Sequence, residues 1–199
     1  AMMFALWIIV KPIEITRSLL PAVETETVTR DELSVLADIA EETDVIEEDE
    51  EAVIQNLLKL REIKVSDIMT PRVVVTSVSV DDTVSDVLER IPIMVHGRMP
   101  VTGGNIDDVR GVVLRSEILR RAAFDEYSKK MSEIYRPVEL CSDNDSVDRA
   151  LDILLETKSQ ILIVKDEFGG TEGLVTMEDV IETLLGVEIV DESDQVAID

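Results

Sequence analysis

Histidine and cysteine are almost missing from this sequence, and each shortage excludes a class of site. The 199 residues contain one histidine, His96, and one cysteine, Cys141. Because structural zinc sites combine several such ligands, no Cys/His metal centre is expected. A Ser/His/Asp triad would have to be built around His96, to which no catalytic role is assigned. A single cysteine cannot form an internal disulfide, which fits a reducing compartment.

Aromatic and basic residues are also scarce. Aromatics make up 3% of the chain, so the core must be aliphatic and binding by aromatic stacking is mostly excluded. The formal net charge is -24, with 43 acidic and 19 basic residues. Nucleic acid is therefore not expected as a partner, because phosphate backbones are bound by basic faces. The charge indicates a solvated acidic surface, and attraction of divalent cations is the alternative.

A long apolar run occurs only at the N-terminus, and it is too short to cross a bilayer. Residues 2–10 are nearly all apolar and are followed by Lys11 and Pro12. A spanning helix needs about 20 such residues. The run also lacks the basic start and small-residue cleavage site of a signal peptide. We interpret residues 1–27 as an apolar juxtamembrane stump, with the beginning of a buried helix as the alternative.

Residues 28–62 are predicted to form an acidic connector of two helices. Thr29 followed by Glu32 is a capping-box pattern for the first helix, and the acidic run Glu47–Glu51 suits the start of the second. Apolar residues recur at helical spacing in the first helix, at Leu33, Leu36, Ala37 and Ala40. In the second helix, Val53, Ile54, Leu57 and Leu58 are predicted to form the buried stripe. Direct metal binding by these acidic helices, or by Glu188–Asp194, remains a separate hypothesis.

The rest of the chain contains two copies of one unit, predicted at residues 63–125 and 126–190 and followed by an acidic tail, 191–199. The landmarks of the two copies match in pairs: Pro71 with Pro137, Thr83 with Ser146, and Gly111 with Gly173. Each copy shows the pattern strand, helix, strand, strand, helix, which predicts an α/β (α+β) fold in which each small sheet carries helices on one face. Units of this size are marginal alone, so the copies should pack together.

Three motifs together resemble the paired CBS domains, or Bateman module, of the CorC/CNNM family of magnesium transporters and hemolysin-like proteins. They are IMTPR (68–72), HGRMPV (96–101) and GLVTMEDVIETLLGVEIVDESD (173–194). The resemblance implies a regulatory module that binds ATP with Mg2+, associates as a homodimer, and controls the membrane transport domain of a larger protein from the cytoplasmic side. It implies no enzyme activity, and no nucleophile and general-base pair stands at credible positions for a nucleotide hydrolase.

The two copies differ where a ligand would bind. The second copy has Thr176 and Asp179 where the first has Leu114 and Glu117, which indicates one working site. The start of a helix favours an anionic phosphate, to which the Thr176 hydroxyl could donate, and Asp179 could accept from the ribose hydroxyls. Plain helix capping by the same pair is the alternative.

The resemblance supplies the remaining site residues. Arg72 and Arg98 lie in family motifs associated with ATP, and Thr70 shares the first of them. We expect both guanidinium groups to meet the phosphates, with surface salt bridges as the alternative. Backbone groups near Pro137 and Val138 are expected to face the adenine. Glu178 either acts through magnesium held by the phosphates or points to solvent. A module without ligand that only mediates dimerisation is the competing function.

Overall fold

Two helices of the acidic connector open the described part of the chain. The computed structural model describes residues 29–186, so the predicted stump at 1–27 and tail at 191–199 lie outside it. Helix α1 spans Arg30–Glu42 and helix α2 spans Glu48–Lys59. The predicted capping box is confirmed: the Glu32 amide donates to the Thr29 hydroxyl at 3.3 Å, and the Thr29 amide donates to the Glu32 carboxylate at 2.8 Å.

The predicted buried stripe on α2 is wrong at Ile54 and Leu57, which are 36% and 50% exposed, whereas Val53 and Leu58 are half-buried. Polar contacts join the two helices: Gln55 donates to Asp38 at 2.7 Å and accepts from Ser34 at 2.6 Å. A two-helix hairpin has one inner surface, so apolar side chains turned away from it stay exposed.

Each copy then follows the predicted order of elements. The first copy opens with a single helical turn, α3 (Val65–Ile68), and a short strand, β1 (Thr70–Pro71). It continues with β2 (Val78–Ser79), α4 (Val84–Arg90), β3 (Arg98–Thr102), β4 (Val109–Leu114) and α5 (Arg115–Ala123). The second copy opens with a 3-10 turn (Met131–Glu133) and continues with β5 (Glu139–Ser142), α6 (Val147–Thr157), β6 (Ile161–Lys165), β7 (Thr171–Thr176) and α7 (Met177–Leu185).

In each copy an aliphatic core separates the sheet from its helices. Alternate strand residues point toward the helices, as the period of two in a strand requires. The first core contains Val84, Val87, Met99, Val101, Val113 and Ile118. The second contains Val147, Ala150, Leu154, Leu162, Val164, Val175 and Val180. The predicted fold class is confirmed, with helices on one face of each sheet.

The copies complete each other's sheets by exchanging short segments. Strand β1 belongs to the first copy but joins the sheet of the second, in the order β1-β7-β6-β5, with Thr70 opposite Leu174. Conversely, Arg136 belongs to the second copy and bridges to Val112 on β4, beside the three-stranded sheet β2-β3-β4. Two backbone hydrogen bonds of 2.8 and 2.9 Å hold that bridge.

The cores are interleaved in the same way. Val65 at the start of the first copy, and Leu60 just before it, pack in the second core. Met131 and Ile134 near the start of the second copy pack in the first core. The boundaries at 62/63 and 125/126 stay predictions, but neither core is formed by one continuous stretch of chain.

A third aliphatic cluster joins the two sheets on their outer faces, away from the helices. Its buried members are Val112, Ile161, Ile163 and Leu174, and Val138 packs against them. We call this surface the inter-copy face. The expectation that the copies pack against each other is confirmed there. Packing of both sheet faces leaves each copy dependent on the other.

Gly111 and Gly173 allow the exchanged segments to approach the strands closely. A Cβ atom on Gly111 would lie 2.1 Å from the Arg136 carbonyl oxygen, and one on Gly173 would lie 2.2 Å from the Thr70 carbonyl oxygen. Both distances are far inside van der Waals contact, and both obstacles are backbone atoms. Glycine is therefore required at both landmarks by the same interaction.

We predict that Gly173→Ala destabilises the protein by about 1–3 kcal/mol, because the added methyl group must push strand β1 off strand β7. Urea unfolding of the described region measures this loss. Gly97→Ala is the matched control: a Cβ there meets nothing within 4 Å. Its expected effect is within about 0.5 kcal/mol. Equal unfolding curves for the two variants would contradict the close-approach argument.

Candidate functional site

Thr176 and Asp179 form a hydrogen-bonded pair where strand β7 passes directly into helix α7. The Thr176 amide and hydroxyl donate to Asp179 Oδ2 at 2.6 and 2.8 Å, and the Asp179 amide donates to the Thr176 hydroxyl at 3.2 Å. Thr176 is thus the N-cap of α7 in a reciprocal capping box. The helix-capping alternative holds for the protein without ligand. Both hydrogen bonds to the Asp179 carboxylate are accepted by the same oxygen, Oδ2.

An almost identical pair occurs in the first copy at another helix. Thr83 caps α4, and its amide and hydroxyl donate to Asp86 Oδ2 at 2.8 and 2.6 Å. The hydrogen bond from the Thr83 hydroxyl lowers the pKa of the Asp86 carboxyl below its usual value. A threonine followed three residues later by aspartate therefore does not by itself identify a ligand site. What distinguishes Thr176 is its place in the sheet.

The register of the four-stranded sheet brings five of the predicted site residues to one end. Ile161 lies opposite Thr176, and Glu139 lies opposite Leu162 in the neighbouring parallel pair. Val138 therefore comes beside Ile161, two strands away from Thr176. The predicted residues at this end are Pro137, Val138, Thr176, Glu178 and Asp179. Pro137 and Glu178 are exposed, whereas Val138, Thr176 and Asp179 are half-buried.

Thr70 extends the site along the inter-copy face. It lies opposite Leu174, which belongs to the cluster between the sheets. Directly opposed residues on neighbouring strands point to the same side, as do alternate residues on one strand. Thr70 therefore shares a face with Thr176, and the same alternation places Arg72 on that face. The three residues form a row on the side of the sheet that faces the other copy.

Arg72 lies at the far end of this row from Thr176. Its amide donates to the Glu172 carbonyl at 2.8 Å. Glu172 and Thr176 are four residues apart on β7, about 13 Å along a strand. The Arg72 guanidinium donates to the Thr171 carbonyl at 3.3 Å and lies 3.6 Å from Asp107. The predicted alternative of a salt bridge is therefore present in the structure, and a role at the phosphates stays a prediction.

Arg98 comes to the inter-copy side from the first copy. It begins strand β3, lies opposite Leu114 and is half-buried. Within residues 29–186 its guanidinium makes no hydrogen bond or ion pair. A half-buried cation without a partner in so acidic a protein is suited to an anionic ligand. Its role at the phosphates stays a prediction.

The first copy has a blocked counterpart of the Thr176–Asp179 pair. Leu114, the N-cap of α5, has no hydroxyl to donate. The Glu117 carboxylate is already bound by Arg120 at 2.8 Å and by Arg121 at 2.8 Å. The hydrogen bond from Arg120 lowers the pKa of the Glu117 carboxyl below its usual value. The arrangement is consistent with one site in the second copy.

The remaining reactive groups contribute little to this site. Cys141 is buried in the second core, and burial raises the pKa of its thiol to about 12, so it is inert near neutral pH. No three His, Cys, Asp or Glu side chains in the described region are grouped to hold a metal ion. Within 29–186, no helix has both the length and the apolar character needed to cross a bilayer.

Sequence reasoning missed Asp107 and Thr171, which contact the Arg72 guanidinium, and Lys165, which donates to both of them. They lie in or beside the two hairpin turns, one from each copy. The first of these turns joins β3 to β4. No sequence signal indicates that a turn in one copy reaches a strand in the other. Only the exchanged packing of the copies shows this contact.

Comparison with known proteins supports the predicted family. The CBS domain model matches residues 65–123 and 131–186. A UPF0053 protein, sll1254 of Synechocystis, is 34% identical over 82% of this chain and 47% of its own length. The magnesium and cobalt efflux protein CorC of Escherichia coli is 31% identical over 85% of this chain and 58% of its own length. The chain thus spans about half the length of these relatives.

Solved structures agree with this assignment. The CBS domain of a bacterial CNNM/CorC family Mg2+ transporter is 34% identical, with a TM-score of 0.77 over 82% of this chain and 99% of that one. The same kind of domain in complex with ATP is also 34% identical, with a TM-score of 0.65 over 69% of this chain and 98% of that one.

Because Thr176 and Thr83 form matching caps, they should contribute similarly to stability. We predict that Thr176→Ala and Thr83→Ala each cost about 1 kcal/mol in the absence of ligand, since each removes one N-cap. Urea unfolding of both variants measures the two losses. Thr176→Ser should stay near the parent protein, because serine caps as well. A Thr176→Ala variant with unchanged stability would show that the cap does not form.

Proposed function

The chain belongs to the CNNM/CorC family and contains its paired CBS domains, and we propose that it binds ATP and thereby regulates a membrane transporter. The transporter would carry magnesium or another divalent cation, and the module would act from the cytoplasmic side of the cell membrane as part of a larger protein. The observation that supports this most is the Thr176–Asp179 pair on the inter-copy face, whose counterpart in the first copy is blocked.

The ligand would lie along the inter-copy face with its parts in a fixed order. Asp179 would accept hydrogen bonds from the ribose hydroxyls. The adenine would lie against the backbone of Pro137 and Val138. The Thr176 hydroxyl and the first amides of α7 would donate to phosphate. Thr70 follows in the same row, and Arg72 and Arg98 would meet the more distant phosphates.

Magnesium would enter with the nucleotide. A free triphosphate would be repelled by a protein with net charge -24. Bound Mg2+ reduces the charge of the ligand, and it usually binds proteins through substrate phosphates together with a few carboxylates. Glu178 is exposed at the start of α7, where its carboxylate would face such an ion or solvent.

Regulation would follow from the interleaved architecture. Val138, Thr176 and Thr70 would contact the ligand from the second sheet, whereas Arg98 belongs to the first. A ligand that bridges the copies favours the arrangement in which both sets of contacts form, and a coupled transport domain would sense that bias. The comparison with an ATP complex of a related CBS domain supports ATP as the first nucleotide to test.

We predict that ATP with Mg2+ binds this module and that omission of Mg2+ weakens binding. Calorimetry gives the affinity, and a thermal-shift panel of ATP, ADP, AMP and adenosine ranks the ligands. Saturation at about 100 times Kd should stabilise the protein by about 2.7 kcal/mol. Asp179→Ala should weaken ATP binding at least about tenfold, the factor that corresponds to one lost charge-assisted hydrogen bond.

Asp86→Ala is the matched control for the binding experiment. It removes the same kind of capping carboxylate, with the same change in charge, from helix α4 of the first copy. ATP affinity should therefore survive in Asp86→Ala and fall in Asp179→Ala. Equal affinity in the two variants would refute the site. Absence of binding by any adenine nucleotide would favour the ligand-free dimerisation module.

We also propose a homodimer, because the helices of both copies expose apolar side chains. Leu119 on α5 is 49% exposed and Leu155 on α6 is 60% exposed. Ile181 and Leu185 on α7 are exposed as well. Such side chains on neighbouring helices are suited to packing against a second copy.

We predict that Leu119→Glu converts the dimer to a monomer in sedimentation experiments, because it buries a charge in the proposed interface. Val45→Glu is the control, since Val45 is 74% exposed in the turn between the two connector helices and belongs to none of α5, α6 and α7. A protein that sediments as a monomer before any substitution would disprove the proposed dimer.

A further inference from the structure

A cluster of polar contacts ties the two copies together beside Arg72. Asp107, in the turn between β3 and β4 of the first copy, accepts from the Thr171 amide at 2.8 Å. The Lys165 ammonium group donates to the Asp107 carbonyl at 2.8 Å and to the Thr171 hydroxyl at 2.8 Å. Three groups, the Thr171 amide, the Lys165 ammonium and the Arg72 guanidinium, thus surround Asp107.

The position of Arg72 is fixed by its backbone, but its side chain is free to exchange partners. The amide bond to the Glu172 carbonyl holds its Cα beside β7. The guanidinium and the Asp107 carboxylate are each about half exposed, and the 3.6 Å separation is long for an ion pair. Exposed ion pairs of this kind contribute little to stability. Phosphate oxygens form stronger, bidentate contacts with a guanidinium.

From this geometry we propose that Asp107 is an affinity-determining residue, which competes with the phosphates of the ligand for Arg72. This inference rests on the proposed function, in which Arg72 meets the phosphates. Asp107 opposes binding in two ways: it occupies the guanidinium, and its own negative charge lies next to the phosphates that would replace it. Exchange of Arg72 from Asp107 to phosphate would link the turn of the first copy to occupancy of the second.

Asp107→Asn tests the competition with little structural change. The asparagine side-chain oxygen can still accept from the Thr171 amide, and the Lys165 contact uses the backbone carbonyl. Removal of the charge should tighten ATP binding about twofold to fivefold, the factor that corresponds to a lost exposed ion pair. Adenosine affinity should not change, because adenosine carries no phosphate.

Asp108→Asn is the matched control on the same turn. Asp108 pairs with Arg110 at 2.8 Å, so the substitution changes the net charge equally but does not touch Arg72. The ATP affinity of the Asp108→Asn variant should stay within about 1.5-fold of that of the parent protein, because physiological salt screens long-range repulsion between Asp108 and the ligand. In an Arg72→Gln background, Asp107→Asn should raise ATP affinity much less, because there is no guanidinium to release.

The outcomes separate this inference from the proposed function. If the parent protein binds ATP but Asp107→Asn binds no more tightly than Asp108→Asn, competition by Asp107 is wrong and the site remains. The same conclusion follows if the benefit persists in the Arg72→Gln background. If the parent protein binds no adenine nucleotide at all, the proposed function and this inference fail together.

Discussion

The close backbone contact at Gly111 and Gly173 is the constraint on which the rest of the structure depends. Each glycine lets a segment from outside its own copy lie against a strand, at distances that a Cβ atom would prevent. Those segments bring Leu60 and Val65 into one core and Met131 and Ile134 into the other. The two sheets are therefore locked face to face, and the inter-copy face exists only because of this exchange.

Duplication of the unit creates two equivalent positions, and local chemistry makes them unequal. Thr176 and Asp179 hold each other but leave a hydroxyl and a carboxylate at the edge of the inter-copy face. The corresponding Glu117 is instead neutralised by two arginines of its own helix. A carboxylate so well paired has little left to offer a ribose. The asymmetry therefore comes from what surrounds the matching acidic residues as well as from Leu114, which has no hydroxyl.

The sequence predicted what depends on local pattern and failed where distant segments decide. Strand pairs, helix order and the Thr29 cap follow from periodicity and capping chemistry, and the structure confirms them. The predicted buried stripe was wrong at Ile54 and Leu57, because burial depends on whether a neighbouring element covers the helix. The partner of Arg72 was equally unpredictable, since Asp107 is far away in the sequence and reaches it only through the exchange.

The exchange also explains how occupancy of a small site could influence a whole module. A ligand on the inter-copy face would contact segments that belong to both copies. Any change in the spacing of the sheets must strain the backbone pairs at Thr70 and Arg136, which are held at both glycines. The two copies are therefore expected to respond to a ligand together, as one rigid body. Arg98 of one copy and Thr176 of the other would then hold the same phosphates without deformation inside either copy.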